Sequence, residues 1–406
     1  MGEEQAVEAG VVGPAGDIDF FDVGRALAHK SDAELRAAFI VFSAVVHPWL
    51  YVVSTTLARV GLALRLPPAV WALRRTVFVQ FCGGSTIEEA LRTAACLREH
   101  KIGTILDYAV ESEKTAAGFA ATSRELGVAL AHAAEGGISF CALKVTGMAP
   151  SAQLIKATAG VSLQRDEQTQ LDAAWDRVAA VAASAAACGV AIFADAEESW
   201  VQGCIDAWAE RLMERHNRGR PIVHTTVQLY LRRGLAYLHT LIARARERGY
   251  VLGVKLVRGA YLDQENERAR RLGCDSPIHP SKMATDAAFD AAITVCLENL
   301  DAVAVCVATH NVGSIGHLLA QMRRLGIARD HPRVTVSQLL GMFDRITYPL
   351  AEHGYRTLKY VPYGQLRAML PYLLRRAQEN KMVAQQAHGE LAAVRAEMRR
   401  RGLSIC

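Results

Sequence analysis

Residues Thr357–Asn380 read T-L-K-Y-V-P-Y-G-Q-L-R-A-M-L-P-Y-L-L-R-R-A-Q-E-N. They begin with a short apolar run, Thr357–Val361, which is typical of a buried strand. The next residues, Pro362–Gly364, have the composition of a turn. Apolar residues then recur at helical spacing over Leu366–Glu379, which predicts a helix. The segment is therefore predicted to be one strand–turn–helix unit.

The same alternation of strand and helix patterns extends over most of the chain. The eight strand candidates are Gly103–Tyr108, Ile138–Val145, Val190–Ala194, Ile222–Leu229, Gly253–Val257, Ala302–Ala308, Arg333–Leu339 and Thr357–Val361. The longest helical patterns between them are Gln168–Cys188, Leu231–Arg248 and Asp286–Leu300. Eight such repeats predict an α/β fold, a (β/α)8 barrel of the TIM type. A doubly wound open sheet is the alternative, but no G-x-G-x-x-G lies between a strand and a helix.

The composition narrows the function classes. The chain has 406 residues, of which 51% are apolar and 21% charged, and a net charge of +5. No stretch alternates basic and aromatic residues, so we expect no nucleic-acid partner. The nine cysteines include no C-x-x-C, which indicates reduced, mostly buried thiols. No H-E-x-x-H is present either, so we predict no metal site.

The two ends of the chain differ from the repeating part. We predict a disordered tail over 1–19, a helical region over 20–101, the barrel over 102–382 and a C-terminal helix over 383–406. The tail has no Lys or Arg and is not a secretory signal.

An apolar stretch inside the N-terminal region is long enough to be considered as a membrane span. Ala37–Ala58 contains no Asp, Glu, Lys or Arg. Pro48 interrupts it, which favours two shorter helices that pack on the main domain or lie on a membrane surface.

Polar residues stand at the predicted carboxyl ends of nearly all strands after the first. They are Lys144, Asp195, Gln228, Tyr230, Lys255, Arg258, Tyr261, Thr309, His310, Asn311, Gln338 and Tyr360. In a TIM-type barrel the active site lies at these ends. Each residue alone could be a structural rim residue, but rim charges stabilise a protein little, so the whole set predicts a site.

The chemistry of the polar residues points to an anionic cofactor and a small zwitterion. Cations together with the small-residue turn Gly259-Ala260 suit a pyrophosphate, and the absence of obvious nucleophiles favours redox chemistry on an organic cofactor. Arg375 and Arg376 lie within one helical turn of Glu379, so two guanidinium groups and a carboxylate can reach one region. A solvated charged face is the alternative reading of this triplet.

Five motifs, in this order and spacing, resemble the proline dehydrogenase (proline oxidase) family. They are K-L-V-R-G-A-Y-L (Lys255–Leu262), A-T-H-N (Ala308–Asn311), Q-L-L-G-M (Gln338–Met342), Y-V-P-Y-G (Tyr360–Gly364) and P-Y-L-L-R-R-A-Q-E-N (Pro371–Asn380). The resemblance covers about Gly103–Gly389. Leu272–His279 and the long N-terminal helical region are most similar to the eukaryotic, mitochondrial branch, plant or algal.

The resemblance implies a distorted barrel that binds FAD non-covalently and oxidises L-proline to Δ1-pyrroline-5-carboxylate, the first step of proline catabolism. It implies hydride transfer from proline C5 to flavin N5, with the electrons passed on to a quinone. It also implies contact with the matrix side of the mitochondrial inner membrane, although the sequence shows no import signal.

The resemblance also implies a role for each matching residue. Arg375 and Arg376 would hold the proline carboxylate and Glu379 its amine. Lys144, Tyr261 and Tyr360 would complete the substrate pocket, with Asp195 and Lys255 as catalytic residues. The FAD would be held by Gln228, Lys255, Arg258, Gly259, Ala260, Thr309, His310, Asn311 and Gln338. Bacterial members carry Arg in place of Lys255, so this chain keeps the charge and loses the fork.

Three other functions are open from the sequence. The nearest is hydroxyproline dehydrogenase, whose branch has a smaller residue in place of Tyr360, so Tyr360 favours proline. The second is a Schiff-base lyase or aldolase built on Lys144. The third is a non-catalytic, membrane-associated scaffold that keeps the barrel.

Overall fold

The computed structural model describes residues 27–47, 66–109, 115–366 and 384–404, with isolated positions between 18 and 64 and residue 369. The predicted disordered tail, apart from Ile18, lies outside the described residues. The triplet Arg375, Arg376 and Glu379 lies outside them too, as does most of the predicted helix 366–379.

The eight strands form a closed barrel in which they follow one another in chain order. They are β1 Gly103–Tyr108, β2 Phe140–Leu143, β3 Ala191–Ala194, β4 Val223–Gln228, β5 Leu252–Val257, β6 Val303–Ala308, β7 Val334–Leu339 and β8 Thr357–Tyr363. All recorded strand pairs are parallel. The predicted (β/α)8 barrel is therefore confirmed, and the open sheet is wrong because β1 pairs with β8.

Among the described residues, four helices precede β1 and ten come later in the chain. They are α1 Asp32–Val46, α2 Pro67–Leu73, α3 Val79–Phe81, α4 Ile87–Glu99, α5 Ala116–Glu135, α6 Ser151–Thr158, α7 Arg165–Cys188, α8 Ser199–His216, α9 Gly234–Arg248, α10 Leu262–Leu272, α11 Lys282–Glu298, α12 Val312–Arg324, α13 Asp344–Glu352 and α14 Ala384–Arg400. A π-helical turn, Arg74–Phe78, joins α2 to α3, and a 3-10 turn, Val145–Gly147, follows β2. The helix α14 matches the predicted C-terminal helix.

The chain divides into two compact units. The first unit comprises residues 1–16 and 112–337, and the second comprises residues 17–111 and 338–406. The contacts within each unit explain how its polar residues are placed.

In the first unit, aromatic side chains from successive strands fill a common layer. The ring centroid of Phe193 lies 5.0 Å from that of Phe140 and 4.9 Å from that of His224. Gly253 pairs with His224 across β4 and β5, and a Cβ at Gly253 would lie 2.7 Å from the imidazole. The glycine therefore makes room for the imidazole in this layer.

The second unit is held by an apolar cluster and by a buried charge network. Leu35 and Phe42 of α1 pack in one core cluster with Met398 of α14. The helix α1 begins with a capping box, in which Ser31 and Glu34 satisfy each other's backbone N–H groups.

The charge network of the second unit is centred on Asp344, the first residue of α13. Its carboxylate lies 2.7 Å from Lys359 Nζ on β8 and 3.0 Å from Lys30 Nζ. Burial by itself raises the pKa of Asp344, but the two ammonium groups outweigh it and hold that pKa well below its ordinary value. Burial lowers the pKa of Lys359, whose side chain is only 1% exposed. The Lys359 ammonium also donates to the carbonyl of Met342 at 2.5 Å, so a backbone oxygen stabilises its charge in addition to the Asp344 carboxylate.

The structure bears on two predictions of local structure, the turn 362–364 and the helix interruption at Pro48. Pro362 and Tyr363 belong to β8, so the predicted turn 362–364 is wrong: Pro362 pairs with Asp107, and its carbonyl accepts from Gly83 N–H at 2.8 Å. The helix α1 ends at Val46, as the interruption at Pro48 predicted. Among the described residues, the helices are all too short or too polar to cross a membrane.

Candidate active site

Beyond the carboxyl end of β3, the side chains of successive residues point to opposite faces of the chain. Phe193, Asp195 and Glu197 are two residues apart, so an extended backbone places them on one face. The Asp195 N–H donates to the Leu143 carbonyl at 2.9 Å, which continues the pairing with β2 beyond the end of β3. This geometry brings two carboxylates above the aromatic layer.

Lys255 and Asp195 form an ion pair at the level above that layer. Lys255 is buried on β5, and its ammonium lies 5.3 Å from the centroid of the Phe193 ring. Burial, with a smaller contribution from Lys255, lowers the pKa of His224 to about 3. The imidazole is therefore neutral at physiological pH, so His224 adds no positive charge beside Lys255.

Glu197 lies two residues beyond Asp195 along the chain and is buried. Its two carboxylate oxygens accept hydrogen bonds at 2.8 Å from the hydroxyls of Tyr261 and Thr146. Burial raises the pKa of Glu197 to about 7, against the opposing effect of those hydroxyls and of Lys144. Gln228, the last residue of β4, donates from Nε2 to the backbone carbonyl of Glu197 at 2.8 Å.

A second group of polar residues surrounds Arg258, which follows β5. Its guanidinium donates to Asp286 at 2.7 Å, Thr309 at 2.8 Å and Ser314 at 2.9 Å. Burial raises the pKa of Asp286, but hydrogen bonds from Lys282 and Arg258 outweigh it and lower the pKa overall. Asp286 therefore lies between two cations, and a second carboxylate, that of Asp290, accepts from the Ser314 hydroxyl at 2.5 Å.

The predicted residues Thr309, His310 and Asn311 follow β6. Thr309 is buried and accepts from the Asn311 N–H at 3.1 Å, in addition to Arg258. Asn311 is the N-cap of α12, since its side chain accepts from Ser314 N–H at 3.0 Å. His310 is partly buried. A structural role, helix capping, thus accounts for the position of Asn311.

The turn after Arg258 requires glycine. Gly259 has φ +139°, and a Cβ there would lie 2.4 Å from the ring of Tyr230. Ala260, the next residue, is exposed. The glycine therefore lets the ring of Tyr230 pack directly against the backbone of this turn.

The remaining predicted residues are in the second unit. Gln338 is buried on β7, and its Oε1 accepts from the Thr347 hydroxyl at 2.9 Å. Tyr360 is partly buried on β8, and its carbonyl accepts from Leu340 N–H at 3.0 Å. The structure brings Lys144, Asp195, Gln228, Lys255 and Tyr261 together around Glu197 within the first unit.

Comparison with known proteins decides the family. The sequence profile of the family described as "Proline dehydrogenase" matches residues 90–389. The chain belongs to the proline dehydrogenase family. Its members are flavoenzymes.

Similar proteins come from animals and bacteria. "Proline dehydrogenase 1, mitochondrial" of Drosophila melanogaster is 36% identical over 235 residues, covering 55% of this chain and 34% of that protein. "Carbapenem antibiotics biosynthesis protein CarD" of Pectobacterium carotovorum subsp. carotovorum is 32% identical over 327 residues, covering 79% of this chain and 83% of that protein. The match thus spans about a third of the fly relative's length.

A solved structure shares the fold. The crystal structure of proline utilization A (PutA) from Bdellovibrio bacteriovorus has a TM-score of 0.70 and 21% sequence identity. The alignment covers 88% of this chain and 38% of that one.

The plant or algal branch stays a prediction.

The residues around Arg258 fit a flavin cofactor that carries phosphates. A guanidinium has five N–H donors, and three of those of Arg258 are used by the contacts above. The guanidinium of Arg258 is followed in the sequence by the turn Gly259-Ala260, which is partly exposed, and a cation beside such a turn suits an anionic group. Cations with fixed orientation and open backbone N–H groups are the usual means of binding phosphate.

The sequence interpretation missed Glu197. It follows Asp195 by two residues in F-A-D-A-E-E, so the period of an extended chain places it on the same face. That spacing was the available signal. Thr146 and His224 were missed as well, and their roles depend on contacts across strands that a single sequence does not reveal.

Proposed function

We propose that this protein oxidises L-proline to Δ1-pyrroline-5-carboxylate with FAD as its cofactor. The observation that carries the proposal is the buried Lys255–Asp195 pair beneath Glu197, at the carboxyl ends of β3 and β5 in a proline dehydrogenase barrel. The position of this group at strand ends is the position of active sites in TIM-type barrels.

FAD would be held by residues of both polar groups in the first unit. Arg258, Gly259 and Ala260, with Thr309, His310 and Asn311, would bind the phosphates and the adenosine part. Gln228 and Lys255 would lie at the flavin ring, and Gln338 would add a contact from β7. When bound, FAD supplies the two-electron acceptor for the hydride of proline.

The substrate would be fixed by its charges. Arg375 and Arg376 would take the proline carboxylate and Glu379 the amine, with Lys144 supporting the carboxylate. Arg–carboxylate pairs are bidentate and directional, so they fix the ring as well as bind it. Such fixation makes the transfer effectively unimolecular. Tyr261 and Tyr360 would pack on the ring, and the phenol of Tyr360 would leave little room for a 4-hydroxyl group.

The amine of proline must lose its extra proton before or during the transfer, so turnover should rise with pH. The chain itself holds a fixed positive charge nearby, because Lys255 is paired and buried. Charge at this position would stabilise the extra electron density on a reduced cofactor.

The test is a visible spectrum of the purified protein, recorded anaerobically before and after L-proline is added. We expect an oxidised flavin band that bleaches with proline and less with 4-hydroxyproline. A flavin that stays oxidised with proline would refute the proposed substrate. A colourless protein that cannot be reconstituted with FAD would refute the redox function and revive the lyase built on Lys144 or the scaffold.

The electrons would pass to a quinone, with the protein at the mitochondrial inner membrane on its matrix side. Between Glu34 and Glu88 the sequence has no Asp or Glu but has arginines at 36, 59, 65, 74 and 75. Trp49 and Trp71 are 67% and 62% exposed. Exposed Trp beside Arg, without acidic residues, is suited to an anionic membrane surface.

Vesicle flotation tests this surface. Trp71→Ala should lower binding to vesicles that contain anionic lipid, whereas Met283→Ala, 79% exposed on α11, should not. Equal binding by both variants would refute the membrane contact at Trp71.

A further inference from the structure

We propose that Glu197 is a positioning residue for the substrate pocket, which acts by fixing the side chain of Tyr261 and the end of β4. The proposal rests on the proposed function, because it takes Tyr261 to be in contact with the substrate. Glu197 itself need not touch the reacting atoms.

Glu197 joins four consecutive strand ends. Its carboxylate accepts from Thr146 after β2 and from Tyr261 after β5, both at 2.8 Å. Its carbonyl accepts from Gln228 at the end of β4, and Glu197 itself follows β3. One buried residue thus sets the spacing of the loops from which a barrel site is built.

Glu197 is itself anchored to α8. Its N–H donates to Gln202 Oε1 at 2.7 Å, and Gln202 Nε2 in turn donates to Asp206 at 2.7 Å. Two buried side chains, those of Gln202 and Asp206, therefore hold the segment in place. A residue that only filled space would not need this chain of hydrogen bonds.

The helix α10 is attached to the same segment at two points. Tyr261 is its N-cap, and Glu265 lies one turn further on. Glu265 accepts from Ser199 N–H at 2.6 Å and from the Ser199 hydroxyl at 2.7 Å. The Tyr261–Glu197 and Glu265–Ser199 contacts together fix both the position of α10 and the direction of the Tyr261 phenol.

The hydrogen-bond pattern needs a carboxyl group. Both hydroxyls donate to Glu197, and a carboxylate has acceptor oxygens for both of them. A glutamine has one acceptor oxygen and one NH2 group that cannot accept, so one of the two hydroxyls could no longer donate to it and would have to turn and accept instead. Burial and a raised pKa of about 7 show that this carboxyl group is held in an unfavourable environment by its partners.

The experiment compares Glu197→Gln, Tyr261→Phe and the double variant as flavin-loaded proteins. We expect the KM for proline to rise about tenfold in Glu197→Gln, with kcat and flavin content changing much less, as for the loss of one hydrogen bond to a charged group. If Glu197 acts through Tyr261, the double variant should be no worse than Tyr261→Phe alone. Unchanged KM, or effects that multiply in the double variant, would overturn the proposal.

Glu210→Gln is the matched control, because Glu210 is also a buried glutamate that accepts from a tyrosine hydroxyl, that of Tyr237 at 3.1 Å, and its other partner is Arg244 at 2.7 Å, outside the predicted site. We expect its KM to stay within about twofold of the wild type. A KM increase in this variant equal to that of Glu197→Gln would mean that any buried carboxyl on this side matters, and would also overturn the proposal.

Thr146→Val provides a second variant if Glu197→Gln does not fold. It removes one donor to Glu197 without a change of charge, and its smaller effect on KM should vanish in the Tyr261→Phe background. An effect that persists there would contradict the proposal. A wild-type flavin that does not bleach with proline refutes the proposed function instead, so the two failures are distinguishable.

Discussion

The Lys255–Asp195 pair allows stability and function to be separated in one double-mutant cycle. The side chains of Lys255 and Asp195 are only 8% and 15% exposed, so neither charge is well hydrated in the folded protein. Lys255→Met leaves the Asp195 carboxylate without its ammonium, and Asp195→Asn leaves that ammonium without its carboxylate. Each variant therefore retains a poorly hydrated charge whose partner in this pair has been removed.

The expected loss can be estimated from the burial of the pair. Removing one partner of a fully buried pair costs about 3–5 kcal/mol. Asp195 retains some contact with water, so we expect each single variant to lose about 2–3 kcal/mol of the free energy of unfolding. The double variant replaces both charges, and its loss should be smaller than the sum by about 1–3 kcal/mol.

Turnover should follow a different pattern. If the positive charge of Lys255 serves the reaction, the double variant regains stability but not proline oxidation. Urea unfolding followed by fluorescence gives the first quantity, and proline-dependent dye reduction gives the second. Additive losses of stability would show that the two groups do not interact, and recovered turnover in the double variant would refute the catalytic role of the charge.

A surface pair supplies the control for the cycle. Arg246 donates to both oxygens of Asp301 at 2.9 and 3.0 Å, but the two side chains are 49% and 68% exposed. Because water screens exposed pairs, the cycle of Arg246→Met with Asp301→Asn should show coupling close to the error of measurement. Turnover should be unchanged in all three control variants.

Three further outcomes are expected. Asp344→Asn should lose about 3–5 kcal/mol of the free energy of unfolding near pH 7, since it leaves buried ammonium groups uncompensated. Because the pKa of Asp344 is depressed in the folded state, its carboxylate contributes fully to the free energy of unfolding above the pKa of the unfolded state, and this contribution is lost as the pH falls through the folded pKa. Urea titrations at several pH values measure the difference in the free energy of unfolding between wild type and variant. A difference that stays constant down to strong acid would contradict this reasoning. Gly259→Ala should lower the flavin-to-protein ratio of the purified protein, since its Cβ would meet the Tyr230 ring, whereas Gly316→Ala, with no atom near its Cβ, should keep the ratio; equal ratios would refute the tight turn. Tyr360→Ser should gain turnover of 4-hydroxyproline in the dye assay, and no gain would undercut the specificity assigned to the phenol.

The strands were predictable because their signals are local. Each is a short, largely apolar run, and the predicted limits agree with the structure within about two residues, an error usual for such boundaries. The exception, β8, shows where local reasoning fails. Pro362 and Gly364 have turn chemistry, but Pro362 tolerates the end of a strand because its missing N–H is not needed there and its carbonyl is paired with Gly83.

The site was predictable where one strand carries it, and not where several strands meet. Asp195 and Lys255 lie at the strand ends where the sequence placed them, and their catalytic roles stay predictions. Glu197 was not predicted, because its two-residue spacing from Asp195 does not by itself show that the side chain is buried between the ends of several strands. The contact of Glu197 with Tyr261 joins residues 64 positions apart, and no local pattern encodes it.

The charge network around Asp344 has a consequence for the order of folding. Lys30 precedes Asp344 by more than 300 residues in the sequence, so during synthesis its ammonium stays hydrated until Asp344 has been added. The second unit is assembled from the first and the last parts of the sequence, whereas 112–337 is one continuous run. The continuous run can therefore begin to fold while it is being made, whereas the pair of Lys30, which lies two residues before α1 begins, with Asp344 can form only later. Loop-closure entropy grows only slowly with length, by about 0.6 kcal/mol per doubling, so the delay is a matter of timing more than of final stability.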